Sequence, residues 1–364
     1  MPAATLFRYI GARTLFAIAA MIVVSAVLVT TVDLVENLRF IDKYPGGDLW
    51  FAMKLSLLRS PSVVQTMLPF VFLFGSIWLF SELNRRAEIA VMRSAGLSVW
   101  RLLAPVAFTA VIWGFLAVAI IDPASTHFLS LYNKLKTELA GSTSSVVHIF
   151  GDGIWLRQSD ARHVLLLNAR SFDSRAGTLA NIVVWRFDER AAFVERIDAP
   201  EAVLSGKTIE LRKARVKGAG ERLDHRTPIY AIPTELTPAD LGEHLAPPEA
   251  LSLWQLPKFM MLAKVAGLPT TRYSIRFHDL CSTPLKLVAM VLIAAMFSLR
   301  PVRSGGGAKL FLFAIVAGFL LYVLSEVSTA LGESGVVPVA LAAWAPAVIA
   351  SLVAVTGLLH LEEG

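Results

Sequence analysis

Long uninterrupted apolar runs constrain this chain more than any other feature. Five runs reach the roughly 18 residues that let a helix cross a hydrocarbon core about 30 Å thick. A sixth run, Leu280–Leu299, is interrupted only by Lys286. Only 17% of the residues are charged, against roughly a quarter in soluble proteins. The sequence therefore predicts a membrane protein with six transmembrane helices. The uninterrupted runs are Leu15–Val32, Val63–Phe80, Leu102–Ile121, Leu310–Leu331 and Val336–Leu359.

The first run follows Arg8 and Arg13, as the apolar part of a signal peptide would. Its apolar stretch is longer than the usual 7 to 15 residues, and no small-residue cleavage site follows it cleanly. We therefore expect a retained span. The sequence has one cysteine, Cys281, which lies inside a predicted span. Because a single cysteine cannot form an intramolecular disulfide, it does not indicate the redox compartment.

Basic residues cluster in three places: before the first span, between the second and third, and between the fourth and fifth. With six spans, all three places lie on one side of the membrane. Because cytoplasmic loops retain Lys and Arg, we expect that side to be the cytoplasm and both termini to lie there. The remaining connections then lie outside the cytoplasm, including Asp33–Ser62, which we expect to be a mixed-charge loop.

The longest connection, from Asp122 to about Arg276, has an ordinary soluble composition. It contains short Val-, Ile- and Trp-rich segments with partial alternation, bounded by turn residues, which is typical of strands. Many short strands at this spacing favour a sandwich or jelly roll. The predicted fold class is an α-helical membrane protein with six transmembrane helices (3+3) and an inserted periplasmic all-β jelly-roll domain, divided into 1–121, 122–275 and 276–364. The predicted strands are Val146–Gln158, His163–Phe172, Asn181–Asp188, Phe193–Leu204, Ile209–Val216 and Pro228–Pro233.

Motifs for nucleotide, metal or hydrolytic chemistry are missing from the sequence. The segment "SGGGAKL" at Ser304 lacks the spacing of a phosphate-binding loop and is more typical of a tight hairpin. The seven histidines are scattered without metal-ligand spacing, and there is no G-x-S-x-G elbow. We expect no catalysis, no bound cofactor or metal, and no nucleic-acid partner for this chain.

Two ionisable residues fall inside predicted spans, where charge is costly: Lys286 and Glu326. They could form a polar cavity wall or an ion pair between spans, or they could be a snorkelling lysine and an end-of-span carboxylate. Charged residues also follow the first span from Asp33 to Lys43. They indicate either a helix that emerges from the membrane or a solvated helix end.

The connection "SELNRRAEIAVMRSAGLSVWR", Ser81 to Arg101, carries six charges, four of them Arg. Leu83, Ala87, Ala90 and Val91 fall at helical spacing on one face, so we expect a helix over about 82–100. The segment could be an interfacial helix, a positive-inside anchor, or a docking helix for a cytoplasmic partner. Docking fits best, because small residues permit close approach and charges set the register.

The same segment resembles part of a known protein family. "RRAEIAVMRSAGLS" is similar to the coupling-helix region of the lipopolysaccharide-export permease family, LptF and LptG, where E-[IL]-x-V-M-x-[AS]-x-G recurs between the second and third spans. The similarity covers essentially the whole chain. The segments "RYIG" at the start, "LTPADLG" and "RY" are more similar to LptG than to LptF. Other matching segments are "RYIG" at Arg8, "LPF" at Leu68, "GIWLR" at Gly153, "LTPADLG" at Leu236, "LSLWQL" at Leu251, "RY" at Arg272 and "YVLSE" at Tyr322.

The resemblance implies a subunit of an ABC transporter in the inner membrane of Gram-negative bacteria that extracts lipopolysaccharide. It implies pairing with the paralogue LptF, a cytoplasmic LptB-type ATPase dimer that binds ATP and Mg²⁺, a single-span LptC-type partner and an LptA-type periplasmic bridge. Spans one and five would form lateral gates. The implied ATPase-coupling residues are Glu88, Arg85, Arg86, Arg93, Ala87 and Val91, and the implied lipid-cavity residues are Arg39, Lys43, Val32, Lys286 and Glu326.

The sequence departs from the family pattern just beyond span one. Asp33 stands where relatives can have Lys, and Phe40 occupies another such position. In relatives, basic residues beyond span one would face the phosphates of the substrate. We therefore expect this chain to have fewer such basic residues, or a set adapted to a lipid A with fewer phosphates. A second class of function stays open, a non-transporting membrane scaffold that recruits envelope proteins, in which Lys286 and Glu326 would pair inside a closed bundle.

Overall fold

The computed structural model describes residues 3–43, 48–140, 146–150, 153–159, 163–173, 178–188, 192–205, 208–218, 225–234, 247–265, 268–299 and 307–363. The chain forms two compact units. One contains Met1–Tyr132 and Ile275–Gly364, and the other contains Asn133–Ser274. The segment "LTPADLG" and the turn residues Arg300 to Gly306 lie outside the described residues.

Helices dominate the first unit. Within the described ranges, five helices are long and apolar enough to cross a membrane, or six if α2 and α3, which meet at a bend of 68°, count as one span. A π-helical segment, Ala117–Ile121, joins α5 to α6. The α-helices of the described chain, of which α7 belongs to the second unit, are α1 Ala3–Ile41, α2 Leu49–Thr66, α3 Leu68–Arg85, α4 Glu88–Ser94, α5 Val99–Leu116, α6 Asp122–Ala140, α7 Leu256–Val265, α8 Thr271–Ser298, α9 Gly307–Glu333 and α10 Val339–Glu363.

The connection after the first span is helical, so the expectation of a loop from Asp33 to Ser62 is wrong. Helix α1 continues beyond the apolar run to Ile41, and α2 begins after Asp48, whose carboxylate accepts a hydrogen bond from the Phe51 N–H at 2.8 Å. Such a cap satisfies an orphan donor of the first turn. Of the two interpretations of this region, the structure shows the emerging helix.

The predicted second span, Val63–Phe80, crosses the bend between α2 and α3. Pro69 stands in the first turn of α3. Because proline has no N–H, it cannot donate a helical hydrogen bond to the end of α2, but it fits the first turn of a new helix. The apolar run is therefore continuous in sequence while the helix is not.

The core of the helical unit is formed by side chains of α1, α3, α5 and α8, among them the fully buried Ile18, Phe72 and Val106. Helices α5 and α8 approach closely at Gly114, where an added Cβ would lie 2.4 Å from the Pro284 Cα. Only glycine permits that backbone approach.

Within its described residues, the second unit contains one antiparallel sheet of seven strands, which confirms the inserted all-β domain. The strands follow one another in sequence order, β1 to β7, so the topology is simpler than the crossed strand order of a two-sheet jelly roll. Short connections between consecutive strands favour this arrangement. The predicted first strand, Val146–Gln158, is two strands. The bounds are β1 Val146–Phe150, β2 Gly153–Ser159, β3 His163–Asp173, β4 Thr178–Asp188, β5 Phe193–Ser205, β6 Thr208–Gly218 and β7 His225–Pro233.

Candidate functional site

The charged connection between α3 and α5 contains a helix of only seven residues, α4. The expected helix over 82–100 is therefore interrupted on both sides of α4. Ala87 has a left-handed backbone with φ of 54°, and Gly96 has φ of 79°. Left-handed residues end a right-handed helix, and Ser98 then caps α5 by accepting from the Arg101 N–H. Helix α4 is thus a separate short element between two apolar helices.

The Glu88 carboxylate at the start of α4 is held by α1. The Tyr9 hydroxyl donates to its two oxygens at 3.0 and 3.2 Å, and Arg13 Nη1 donates to Oε1 at 3.1 Å. The Arg13 guanidinium also lies 4.6 Å from the centre of the Tyr9 ring. Both charged side chains are 26% exposed. A charge-assisted contact therefore joins α4 to α1 across 75 residues of sequence.

The other predicted coupling residues point elsewhere. Arg86 pairs with Glu82 at 2.7 Å, and this hydrogen bond raises the pKa of Arg86 above its usual value. Arg85 and Arg93 are exposed.

The predicted small face does not exist as one surface. Leu83 is fully buried, whereas Val91 is 66% exposed and Ala87 lies outside the helix. The periodicity fails because Ala87 breaks the helical phase between the two residues.

A groove of about 390 Å³ runs between α4 and the beginning of α1. Exposed Val91 and half-buried Met92 form its apolar side on α4. Its polar edge is the bound Glu88 carboxylate. The remaining lining residues are Thr5, Leu6, Tyr9 and Arg86.

A buried polar network joins the emerging part of α1 to α2. Arg59 Nη1 donates to the Asp33 carboxylate at 2.8 Å and to Glu36 at 3.3 Å. The Asn37 side chain donates to Asp33 at 3.0 Å and to the Ser56 hydroxyl at 2.9 Å. Asp33 is therefore paired with a cation from α2.

The predicted cavity residues beyond the first span lie on the outside of this network. Val32 is 71% exposed, and Arg39 and Lys43 are exposed as well. Sequence reasoning missed Arg59, because its segment was expected to be a loop. The spacing of Leu55, Arg59 and Ser62 on a capped helix was the available signal.

The structure does not bring Lys286 and Glu326 together. Lys286 pairs with Asp279 of its own helix, α8. Glu326 is exposed on α9. The ion pair between spans considered for these two residues is therefore absent from the described part of the chain.

A second buried network was also missed. Asp122 is fully buried, and its Oδ1 accepts from Gln65 Nε2 at 3.1 Å and from Arg276 Nη2 at 3.4 Å. The three residues belong to α6, α2 and α8. Their sequence separation hides the contact, since Gln65 and Arg276 lie 57 and 154 residues from Asp122.

Residues 8–360 match the family model described as "Lipopolysaccharide export system permease LptF/LptG". The chain is 26% identical over 349 residues to the lipopolysaccharide export system permease protein LptG of Haemophilus influenzae, covering 92% of this chain and 91% of that protein. It is 25% identical over 341 residues to LptG of Escherichia coli K12, covering 90% of each chain. The family model spans both sets of helices and the inserted sheet, so the chain belongs to the LptF/LptG family of lipopolysaccharide export system permeases.

Proposed function

We propose that this chain is a permease subunit of an ATP-driven transporter that extracts lipopolysaccharide from the bacterial inner membrane and passes it to a periplasmic bridge. The family match over residues 8–360 and the names of the relatives support this function. The chain would work with an LptF paralogue, an LptB-type ATPase dimer holding ATP and Mg²⁺, an LptC-type partner and an LptA-type bridge. Its termini and α4 would face the cytoplasm, and the sheet would face the periplasm.

Extraction of a multi-acyl lipid needs an energy source, because each CH₂ leaving the bilayer costs about 0.8 kcal/mol. The sequence has no phosphate-binding loop, so the energy would enter from the ATPase. Helix α4 is the candidate entry point, with Val91 and Arg93 exposed on it and Arg85 exposed at the end of α3.

The contact of Glu88 with Arg13 and Tyr9 carries the mechanistic part of the proposal. The family resemblance implies that Glu88 takes part in ATPase coupling, and its carboxylate is engaged by α1. Movement of α4 would therefore be transmitted directly to α1. That helix has 39 residues and is about 58 Å long at 1.5 Å per residue, so a displacement near Arg13 would reach the other end of the span.

Helices α1 and α9 both expose apolar side chains, as the expected lateral gates would. On α1 the exposed fractions are 60% for Val27, 62% for Leu28 and 71% for Val32, and on α9 Leu320 is 61% exposed. Either lipid or a partner span would cover such surfaces. ATP-driven movement of α1 would open or narrow the entry to a cavity shared with the paralogue.

The test is extraction of lipopolysaccharide by proteoliposomes containing this chain, its paralogue and the ATPase. We expect ATP-dependent release to a periplasmic acceptor, and we expect release to stop when a Val32→Cys variant is crosslinked to span five of the paralogue. Continued release after crosslinking would contradict the lateral gate. Mass spectrometry of the mildly solubilised complex provides a separate test, since envelope proteins without bound lipopolysaccharide would indicate a scaffold instead.

A further inference from the structure

A concavity of about 690 Å³ lies on the sheet, over β4 to β7. It is unusual in being lined by three exposed cations, Lys213, Arg215 and Arg226. Asn181 and Thr227 add uncharged hydrogen-bonding groups to its lining.

The concavity lies where the strand ladder is interrupted. The strand pairings just before and just after this interruption place four residues in one row across β4 to β7, namely Asn181, Pro200, Lys213 and Pro228. The two prolines have no N–H to donate, and Asn181 and Lys213 have left-handed backbones, with φ of 51° and 53°. The row therefore lacks regular ladder bonds, and the cations are grouped around this irregularity.

Two cations stand directly opposite each other at the edge of the concavity. Arg215 of β6 is the register partner of Arg226 of β7 on one side and of Asp198 of β5 on the other, so all three side chains project from the same face. The next pair on that face, Arg196 and Lys217, also joins like charges. Like charges directly opposite each other destabilise a sheet unless an anion lies between them.

Among the described residues that line the concavity, the one carboxylate is already engaged. Asp198 is held by Arg196 through three hydrogen bonds of 2.8 to 3.1 Å. Across the strands that the structure describes, no carboxylate lies within 4.0 Å of a cationic nitrogen of Lys213, Arg215 or Arg226. By contrast, Arg212 on the same strand pairs with Glu201 at 3.7 Å.

We propose that this concavity binds the phosphate-bearing sugar head group of the transported lipid. Guanidinium groups suit phosphate oxygens, because their planar donors can bind two oxygens at once. Asn181 and Thr227 would donate to or accept from sugar hydroxyls. This site rests on the proposed function, and it would hold the polar end of the lipid while the acyl chains move elsewhere.

The test uses the full-length chain in nanodiscs with its paralogue, titrated with deacylated, phosphorylated lipopolysaccharide oligosaccharide. The variant is R215Q/R226Q, and the matched control is R212Q, which removes the same kind of charge from β6 outside the concavity. Binding should weaken at least tenfold in the variant, less than twofold in the control, and should fall as salt rises because exposed charges are screened. Dephosphorylated oligosaccharide should also bind at least tenfold more weakly.

Several results would overturn the proposal. They are unchanged affinity in R215Q/R226Q, equal weakening in R212Q, or equally tight binding of inorganic phosphate, which would indicate a site for the free ion. Loss of a copurifying periplasmic protein with unchanged oligosaccharide binding would identify a protein interface. Misfolding is checked by thermal unfolding of R226Q. Because this substitution removes a like-charge pair, the melting temperature should stay the same or rise. If the wild-type complex extracts lipid but does not bind the oligosaccharide, the site fails while the proposed function stands.

Discussion

Replacement of Arg13 by Gln should uncouple ATP hydrolysis from lipid extraction without releasing the ATPase. The Arg13 guanidinium contributes one of the three hydrogen bonds to the Glu88 carboxylate, at 3.1 Å. A hydrogen bond to a charged group contributes about 1.5 to 3 kcal/mol, and exposed ion pairs contribute at most about 1 kcal/mol. Because both side chains are 26% exposed, we expect a loss of about 1 kcal/mol, or roughly a fivefold weaker link between α4 and α1.

The assay measures lipopolysaccharide released per ATP hydrolysed in proteoliposomes, together with the amount of ATPase that copurifies. R13Q and Tyr9→Phe should each lower release per ATP by roughly fivefold, with ATPase copurification unchanged. Combined with E88Q, R13Q should add little, because residues that share one contact are not additive. Arg93→Gln serves as the matched control, since it removes an exposed arginine of α4 that lies outside the contact of Glu88 with Tyr9 and Arg13. This substitution should affect ATPase binding instead.

Two outcomes would refute this reasoning. If R13Q leaves release per ATP unchanged, the contact between Glu88 and α1 does not transmit movement. If R13Q and E88Q release the ATPase to the same extent as R93Q, the carboxylate contributes to docking, as the family resemblance alone would suggest. Full additivity of R13Q and E88Q would show that the two side chains act independently in the complex.

Other regions of the molecule provide further predictions. Asp122→Ala should lower the free energy of unfolding by about 2 to 4 kcal/mol. This loss is below the upper range for a broken buried pair, because Arg276 is 24% exposed. Thermal unfolding in detergent measures the loss, which should be smaller for Asp122→Asn. Burial and the hydrogen bond to Glu195 raise the pKa of Tyr230 above its usual 10.0, so its contribution to stability is present below pH 10 and is lost as pH rises through the raised pKa. Alkaline unfolding followed by tryptophan fluorescence should therefore be less steep in Tyr230→Phe, and an equal slope would contradict this. Gly114→Ala should lower the melting temperature measurably, because its Cβ would lie 2.4 Å from a backbone atom of α8; an unchanged melting temperature would show that the helices can separate there.

The order of the apolar runs and the switch to short alternating segments were sufficient to predict the membrane class and the inserted all-β domain. Both follow from local physics, since a hydrocarbon core selects long apolar helices and a half-buried sheet selects alternation. Residue types at known spacings also excluded a phosphate-binding loop.

Breaks in helices and contacts between distant residues required the tertiary structure. Hydropathy cannot show that the second apolar run is divided at Met67, just before Pro69, because the residues on both sides of the break are apolar. Helical phase also assumes unbroken geometry, which the left-handed Ala87 removes. Side-chain partners depend on which helices pack together, so no spacing rule could find the contact of Glu88 with Arg13.

The sequence by itself determined the class of the protein, its division into helices and sheet, and the location of the charged α3–α5 connection. Only the tertiary structure decided the neighbours of individual charged residues. Glu88 contacts Arg13 of α1, Asp33 contacts Arg59 of α2, and Arg215 stands opposite Arg226 in the sheet. The physical reason is that membrane helices and half-buried strands leave a pattern of apolar residues along the chain. Ion pairs instead depend on distances of about 3 Å between residues that only folding brings together.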